Sequence, residues 1–209
     1  MPYSVAIGLF GIIMLIGPVS GGHVNPAVST AVLVREGMSN LGSNIVFYLM
    51  IVAAQIFGAG VGVAITFGLG GKFDDKDALG PRTNKLCPGG VDDCRASGDI
   101  DFSALMAEML GTFIFCSVIL SVKYNNGAQA LPLNAFAISI TLFNVIQQTK
   151  NFSGAAINPA VGIVQTVYQQ MVFKGWEKDV SLESIWIYIV GPLVGGALAG
   201  FFSLANSAA

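Results

Sequence analysis

Ser20-Gly21-Gly22-His23-Val24-Asn25-Pro26-Ala27-Val28 returns later in the chain as Ser153-Gly154-Ala155-Ala156-Ile157-Asn158-Pro159-Ala160-Val161. Each aligned pair is 133 residues apart. The same offset carries Gly58 onto Gly191 and Gly62 onto Gly195. Two copies of one unit in a single chain are an internal repeat, so the fold has to be built from that unit twice.

Each Asn-Pro-Ala reads as the start of a helix. Asn is a preferred N-cap because its side-chain oxygen accepts an orphan backbone N–H. Pro suits the first helical position, where its missing N–H is not needed and its φ is already set. The apolar runs that follow, residues 27–34 and 160–167, are only about two turns long, too short for the roughly 30 Å of hydrocarbon in a bilayer. The Ser-Gly-Gly and Ser-Gly-Ala before them favour irregular backbone. Each unit therefore reads as a span, a re-entrant loop, a half-helix and another span.

The setting of these motifs is apolar. The chain is 54% hydrophobic and 11% charged, where soluble domains average roughly 25% charged. Stretches 43–67, 102–122, 130–149 and 184–205 are each long enough to cross a membrane. A fifth, 3–18, is short and N-terminal, but no Lys or Arg precedes Arg35, which argues against a signal peptide. The expected architecture is an all-α membrane protein, an inverted-repeat bundle of five spans and two re-entrant half-helices. It forms one domain over 1–209, with 1–67 as an incomplete first repeat and 102–205 as the second.

Irregular backbone at membrane depth survives only when buried in protein or lining a wet cavity. Paired half-helices near the midplane mark inverted-repeat transport folds. Each N-terminus carries roughly half a positive charge. The side-chain amides of Asn25 and Asn158 would be donors at the centre of such a passage, and the preceding carbonyls a ladder of acceptors. Neutral hydrogen-bonding molecules would pass, while the central positive field would repel cations and break proton relay.

Other functions find little support. The net charge of −2 implies no nucleic-acid partner. The sequence offers no nucleophile–base pair and no metal cluster, so neither an enzyme nor a cofactor is expected. Glu108 is the only charged residue within the four long stretches, which disfavours an ion-coupled carrier. Three cysteines are too few for a disulfide framework. Cys116 reads as core; Cys87 and Cys94 share the polar loop 70–101 and could bridge, stay free, or join Asp92 and Asp93 around a metal.

On the two motifs in register, each after Ser-Gly, the sequence resembles the aquaporin, or major intrinsic protein, family. The resemblance extends to Ala107-Glu108-Met109-Leu110-Gly111-Thr112 and Val190-Gly191-Pro192-Leu193. Gly-Gly-His-Val-Asn-Pro-Ala-Val is similar to tonoplast-type members. The resemblance implies a passive channel for water and small neutral solutes such as urea, glycerol, ammonia or hydrogen peroxide. It also implies a multi-pass protein in a lipid bilayer and a homotetramer with a pore in each subunit. A non-conducting fragment or structural remnant of such a channel is the alternative.

The family has six spans, with a carboxylate in the first and the fourth that each brace a re-entrant loop. Glu108 matches the fourth. Its counterpart would fall before Met1, so the first span is expected to be missing, either because the sequence is a fragment of a longer protein or because it is a five-span variant, and the loop around Asn25 is expected to be the weaker one. The family pattern also places loop 70–101 and the segment after Tyr168 outside the cytosol. Those segments with Lys150 hold eight of the ten Lys and Arg, against the positive-inside tendency.

The resemblance implies a narrow point built from Val5, Ile146, Ala155 and Val161. The last position is commonly Arg in the family. Val161 supplies neither charge nor donor, so a wide, apolar opening is expected. The resemblance also lacks the Asp that glycerol facilitators carry after the second motif. His23, Gly21, Gly22, Gly154 and Ala156 are expected to line or support the pore, His23 as a pH switch or as a partner for neighbouring groups. Gly58, Gly60, Gly62, Gly191, Gly195, Gly196 and Gly200 are spaced for close helix packing. Gln55 is expected to touch a re-entrant loop or another helix. Trp186 and Tyr188 read as interfacial anchors. Asn151-Phe152-Ser153 fits the glycosylation pattern, but it abuts the pore loop and no glycan is expected.

Overall fold

The computed structural model describes residues 2–37, 41–69, 99–126, 130–172 and 182–207. Seven α-helices occur among them: α1 (Pro2–Ser20), α2 (Pro26–Glu36), α3 (Leu41–Gly68), α4 (Asp99–Asn125), α5 (Leu131–Ser153), α6 (Pro159–Val172) and α7 (Ile185–Ser207). The expected pairing of Cys87 with Cys94, and a metal site with Asp92 and Asp93, lie outside the described residues. Cys116 is a free, fully buried thiol in the core.

Helices α1, α3, α4 and α7 are long and apolar enough to cross a membrane. Helix α5, at 23 residues, has the length but not the apolarity, because it carries Asn144, Gln147, Gln148 and Thr149. Part of that polarity is satisfied within the helix. The hydroxyls of Thr141 and Thr149 donate to the carbonyls of Ala137 and Val145, and the Asn144 amide donates to that of Ile140. A polar group bonded to its own helix costs little at membrane depth.

The half-helices are somewhat longer than the sequence suggests, 11 residues for α2 and 14 for α6. At about 1.5 Å per residue both remain well short of a bilayer crossing.

Packing follows the repeat. Helix α7 lies against α4 in the most extensive contact of the molecule and also against α2; α3 lies against α6; α1 lies against α5. Without a hydrophobic drive between helices in lipid, close backbone approach has to supply the attraction. The glycines of α7 allow it. A Cβ on Gly195 would sit 2.3 Å from the Met109 carbonyl oxygen, and one on Gly196 would sit 2.3 Å from that of Ala27. The first repeat differs. Gly58, Gly60 and Gly62 have nothing within 4 Å of a built Cβ, so the close packing expected of them is not met among the described residues. Val63 and Phe67 stand where the second repeat has Gly196 and Gly200, and the Phe67 ring meets Tyr168 of α6 at 6.0 Å.

Candidate functional site

The two caps form as their chemistry dictates. Asn25 is extended (φ −155°, ψ 120°) and its Oδ1 accepts from the Ala27 N–H at 2.8 Å. Asn158 Oδ1 accepts from Ala160 at 3.0 Å. Pro26 and Pro159 open the helices, and Ala27 and Ala160 are buried behind them.

The amide nitrogens do something the sequence could not show. Asn25 Nδ2 donates to the Ile157 carbonyl at 2.9 Å, and Asn158 Nδ2 donates to the Val24 carbonyl at 3.0 Å. Each cap thus ties off the loop of the other repeat, which sets the two helix tips against each other. One N–H of each amide is used in this exchange and one remains, since a carboxamide has two.

The loops repeat each other down to the backbone. Gly21, Gly22 and Val24 have φ of 79°, 61° and 42°; Gly154, Ala155 and Ile157 have 86°, 67° and 52°. Val24 and Ile157 are β-branched residues in the left-handed region, which costs on the order of 1–3 kcal/mol each. The reciprocal amide bonds land on the carbonyls of these two residues. Among the described residues no hydrogen bond reaches the carbonyls of Gly21, Gly22, His23, Gly154, Ala155 or Ala156.

Glu108 is fully buried on α4. Its Oε1 accepts from the Ser153 hydroxyl at 2.5 Å and the Ala156 N–H at 2.9 Å, and its Oε2 from the Ile157 N–H at 2.7 Å. This carboxylate supports the strained backbone of the second loop from behind.

Tyr188 corrects an expectation. It is 1% exposed, and its hydroxyl donates to the Ser153 carbonyl at 2.6 Å. It is a second brace of the loop and not an interfacial anchor. Gly162 makes room for it, as a Cβ there would lie 2.4 Å from that of Tyr188. Tyr188→Phe is expected to lower stability by about 1–2 kcal/mol through the orphaned carbonyl, read as an earlier thermal midpoint in detergent. Trp186 is 41% exposed.

His23 lies beside a cavity of about 240 Å³ lined also by Ser29, Glu36, Tyr48 and Lys123. Its Nδ1 is 3.2 Å from the Ser29 hydroxyl, which also approaches the Asn25 carbonyl at 3.3 Å and accepts from Gln55 Nε2 at 3.1 Å. Gln55 therefore reaches α2. At the far end of this cavity Lys123 pairs with Glu36 at 3.1 Å, and the Tyr124 hydroxyl donates to the same carboxylate. Burial raises the Glu36 carboxyl, but these two donors outweigh it and leave it below its ordinary value. The pair is accordingly intact at neutral pH and is lost only as pH falls through that lowered value.

The four residues of the expected narrow point are less closely tied. Ile146 and Ala155 pack together against the core that holds Ile157 and Val145. Val161, 38% exposed, begins α6 with its N–H 3.5 Å from Asn158 Oδ1. Val5 is 50% exposed on α1. Its neighbour Tyr3 stacks at 5.0 Å on Phe143, one turn before Ile146. Ser153 of the glycosylation pattern is fully buried on Glu108.

The chain is similar to known proteins over most of its length. A glycerol uptake facilitator-like protein of Lactiplantibacillus plantarum is 32% identical over 209 residues, covering 94% of this chain and 82% of its own. Aquaporin PIP2-4 of rice is 31% identical over 199 residues, covering 93% of this chain and 61% of its own. Aquaporin-5 of pig is 30% identical over 202 residues, covering 95% and 64%. The chain thus spans about three-fifths of the plant and mammalian relatives. The aquaglyceroporin structure of Plasmodium falciparum superposes with a TM-score of 0.68 at 18% identity, over 96% of this chain and 79% of that one; at that identity the likeness speaks for the fold. The profile of the Major intrinsic protein family matches residues 2–203. With the paired Asn-Pro-Ala helices, the apolar spans and this match, the chain belongs to the major intrinsic protein family and is an integral, multi-pass membrane protein.

Proposed function

We propose that residues 1–209 form one channel unit that lets water and small neutral solutes cross the bilayer passively, with no cofactor and no chemical step. The reciprocal bonds of Asn25 to Ile157 and Asn158 to Val24 carry this reading. They hold two electropositive helix ends together with one spare N–H each. A molecule passing between them would exchange hydrogen bonds from the unpaired loop carbonyls to these amides, while a cation would meet both positive ends. Glu108 has all three donors of its loop to satisfy and offers no free charge for ion coupling. The family relatives are named as aquaporins and a glycerol facilitator, which fits neutral cargo. Assembly as a homotetramer, with 1–67 and 102–205 as the two repeats, is part of the same proposal.

Light scattering from reconstituted vesicles tests it. Solute flux should rise linearly with concentration; saturation would indicate a carrier, and no flux above empty vesicles would reject conduction. Val161 supplies the sharper test. Val161→Arg adds charge and donors at the mouth, so glycerol and urea flux should fall about tenfold and water flux about twofold. A proportional fall in all three would place Val161 outside the narrow point.

A further inference from the structure

Three positions of the repeat do different work in its two copies. In the second copy Gly162 leaves room for Tyr188, whose hydroxyl ties the loop backbone at Ser153. Their counterparts 133 residues earlier are Ser29 and Gln55, and the counterpart of Ala156 is His23. In the first copy these three side chains meet one another. Ser29 Oγ on α2 stands 3.2 Å from His23 Nδ1, 3.1 Å from Gln55 Nε2 of α3 and 3.3 Å from the Asn25 carbonyl oxygen. Ser29 is 4% exposed, which leaves water little access to these bonds.

A hydroxyl has one proton to give and two lone pairs to receive with. Gln55 Nε2 can only donate, so it takes one lone pair. The Asn25 carbonyl can only accept, and it has a lone pair to spare beside the one that receives the Ser29 N–H. The Ser29 proton has to point there for that contact to be a bond. The remaining lone pair then faces His23 Nδ1, which must carry a proton to use it. In the opposite ring form the Ser29 proton would turn to a bare Nδ1, and the Asn25 contact would be lost. The first arrangement makes three hydrogen bonds and the second two, which favours the first about fivefold for an ordinary bond and more where water is excluded.

A neutral imidazole protonated at Nδ1 is bare at Nε2. Among the described residues no hydrogen bond reaches that nitrogen. The ring borders the cavity of about 240 Å³, beside Gly21. A Cβ on Gly21 would stand 3.4 Å from Nε2 and 3.5 Å from Cδ2, so a side chain there would screen the nitrogen and glycine leaves it open.

We infer that Ser29 is a positioning residue that fixes His23 in the Nδ1–H form, and that the bare Nε2 is an acceptor presented to molecules crossing this cavity. Such an acceptor favours neutral solutes that carry N–H or O–H groups. The second repeat has Ala156 in this place, so the discrimination belongs to one end of the passage. The consequence for solutes rests on the channel reading; the state of the ring does not.

His23 is the only histidine, so isotopic nitrogen labelling of histidine gives one imidazole in the NMR spectrum of the full chain in lipid vesicles. At about pH 8, above the usual histidine value of roughly 6.5, the proton should be found on Nδ1. Ser29→Ala should move it to Nε2, the form an unattached histidine side chain prefers. Ser29→Thr keeps the hydroxyl and should keep the Nδ1 proton. Gln55→Leu takes one donor from Ser29 but leaves the choice between the other two contacts as it was, so it should keep the Nδ1 proton as well. A proton on Nε2 in the unaltered chain, no change in Ser29→Ala, or loss of the Nδ1 form in Gln55→Leu would each overturn the role of Ser29. Flux is read on two isomers, propionamide, which has N–H groups, and dimethylformamide, which has none. Their flux ratio through the channel should fall about fivefold in Ser29→Ala, the worth of one hydrogen bond. An unchanged ratio with a moved proton would overturn the acceptor role. If the chain conducts neither isomer nor water, the channel reading falls and the acceptor role with it, while the ring still decides the role of Ser29.

Discussion

Gly196→Val is expected to keep the protein from folding stably, whereas Gly58→Ala is expected to leave it folded. A Cβ at Gly196 would be 2.3 Å from the Ala27 carbonyl oxygen and 3.1 Å from its carbon. The clash is with backbone, so no rotamer relieves it; α2 and α7 have to separate. Those helices also touch at Gly200, where a Cβ would lie 2.8 Å from the Ala31 carbonyl. Separation would also draw Asn25 away from Ile157 and undo the exchange between the caps. Overpacking costs about 1–3 kcal/mol where side chains can adjust; against two helix backbones roughly 3 kcal/mol or more is expected. At Gly58 the added methyl meets nothing, and the gain in helix propensity is about 0.5–1 kcal/mol. Thermal unfolding in detergent should show a collapse for the first variant and no loss for the second. Equal behaviour would mean that α2 and α7 are not in this contact.

Glu108→Ala is expected to be the most damaging change at the loops. It leaves two backbone N–H groups and the Ser153 hydroxyl without their acceptor in a fully buried place. At about 1–3 kcal/mol for each orphaned group, a total near 3–5 kcal/mol follows, allowing for partial relaxation. Ile157 would also lose the bond that holds it at positive φ. Its carbonyl, which receives the Asn25 amide, would then wander, and water permeability should fall along with the thermal midpoint. Glu108→Gln keeps the shape and one accepting oxygen, so its loss should be smaller on both counts. Full permeability with an unchanged midpoint in Glu108→Ala would show that the loop holds itself.

Much of this architecture is legible in the chain because it rests on short-range chemistry. Asn before Pro caps a helix wherever it stands, and twenty apolar residues need a bilayer wherever they occur. Glu108, a lone carboxylate in an apolar run, announces a structural debt that donors elsewhere must settle. Other features escaped because they depend on what lies opposite. Tyr188 near the start of a span looks like an interfacial anchor by position alone, yet it faces inward to the Ser153 carbonyl. Gly58 and Gly191 have the same spacing in their helices, but one is crowded and the other bare. Val24 and Ile157 give no hint of left-handed backbone, since β-branched residues avoid it unless surroundings impose it.

The amino-acid order alone determined that two like units exist, where their helices begin, and that the protein lives in a membrane. Local capping, chain stiffness and transfer from water need no partner to operate. The tertiary structure decided that each Asn amide would close the other repeat's loop, that Glu108 and Tyr188 would brace the second loop, and which glycines would bear contact. Those outcomes depend on atoms far apart in the chain, some 130 residues in the case of the amides, and proximity of that kind exists only once the helices have packed.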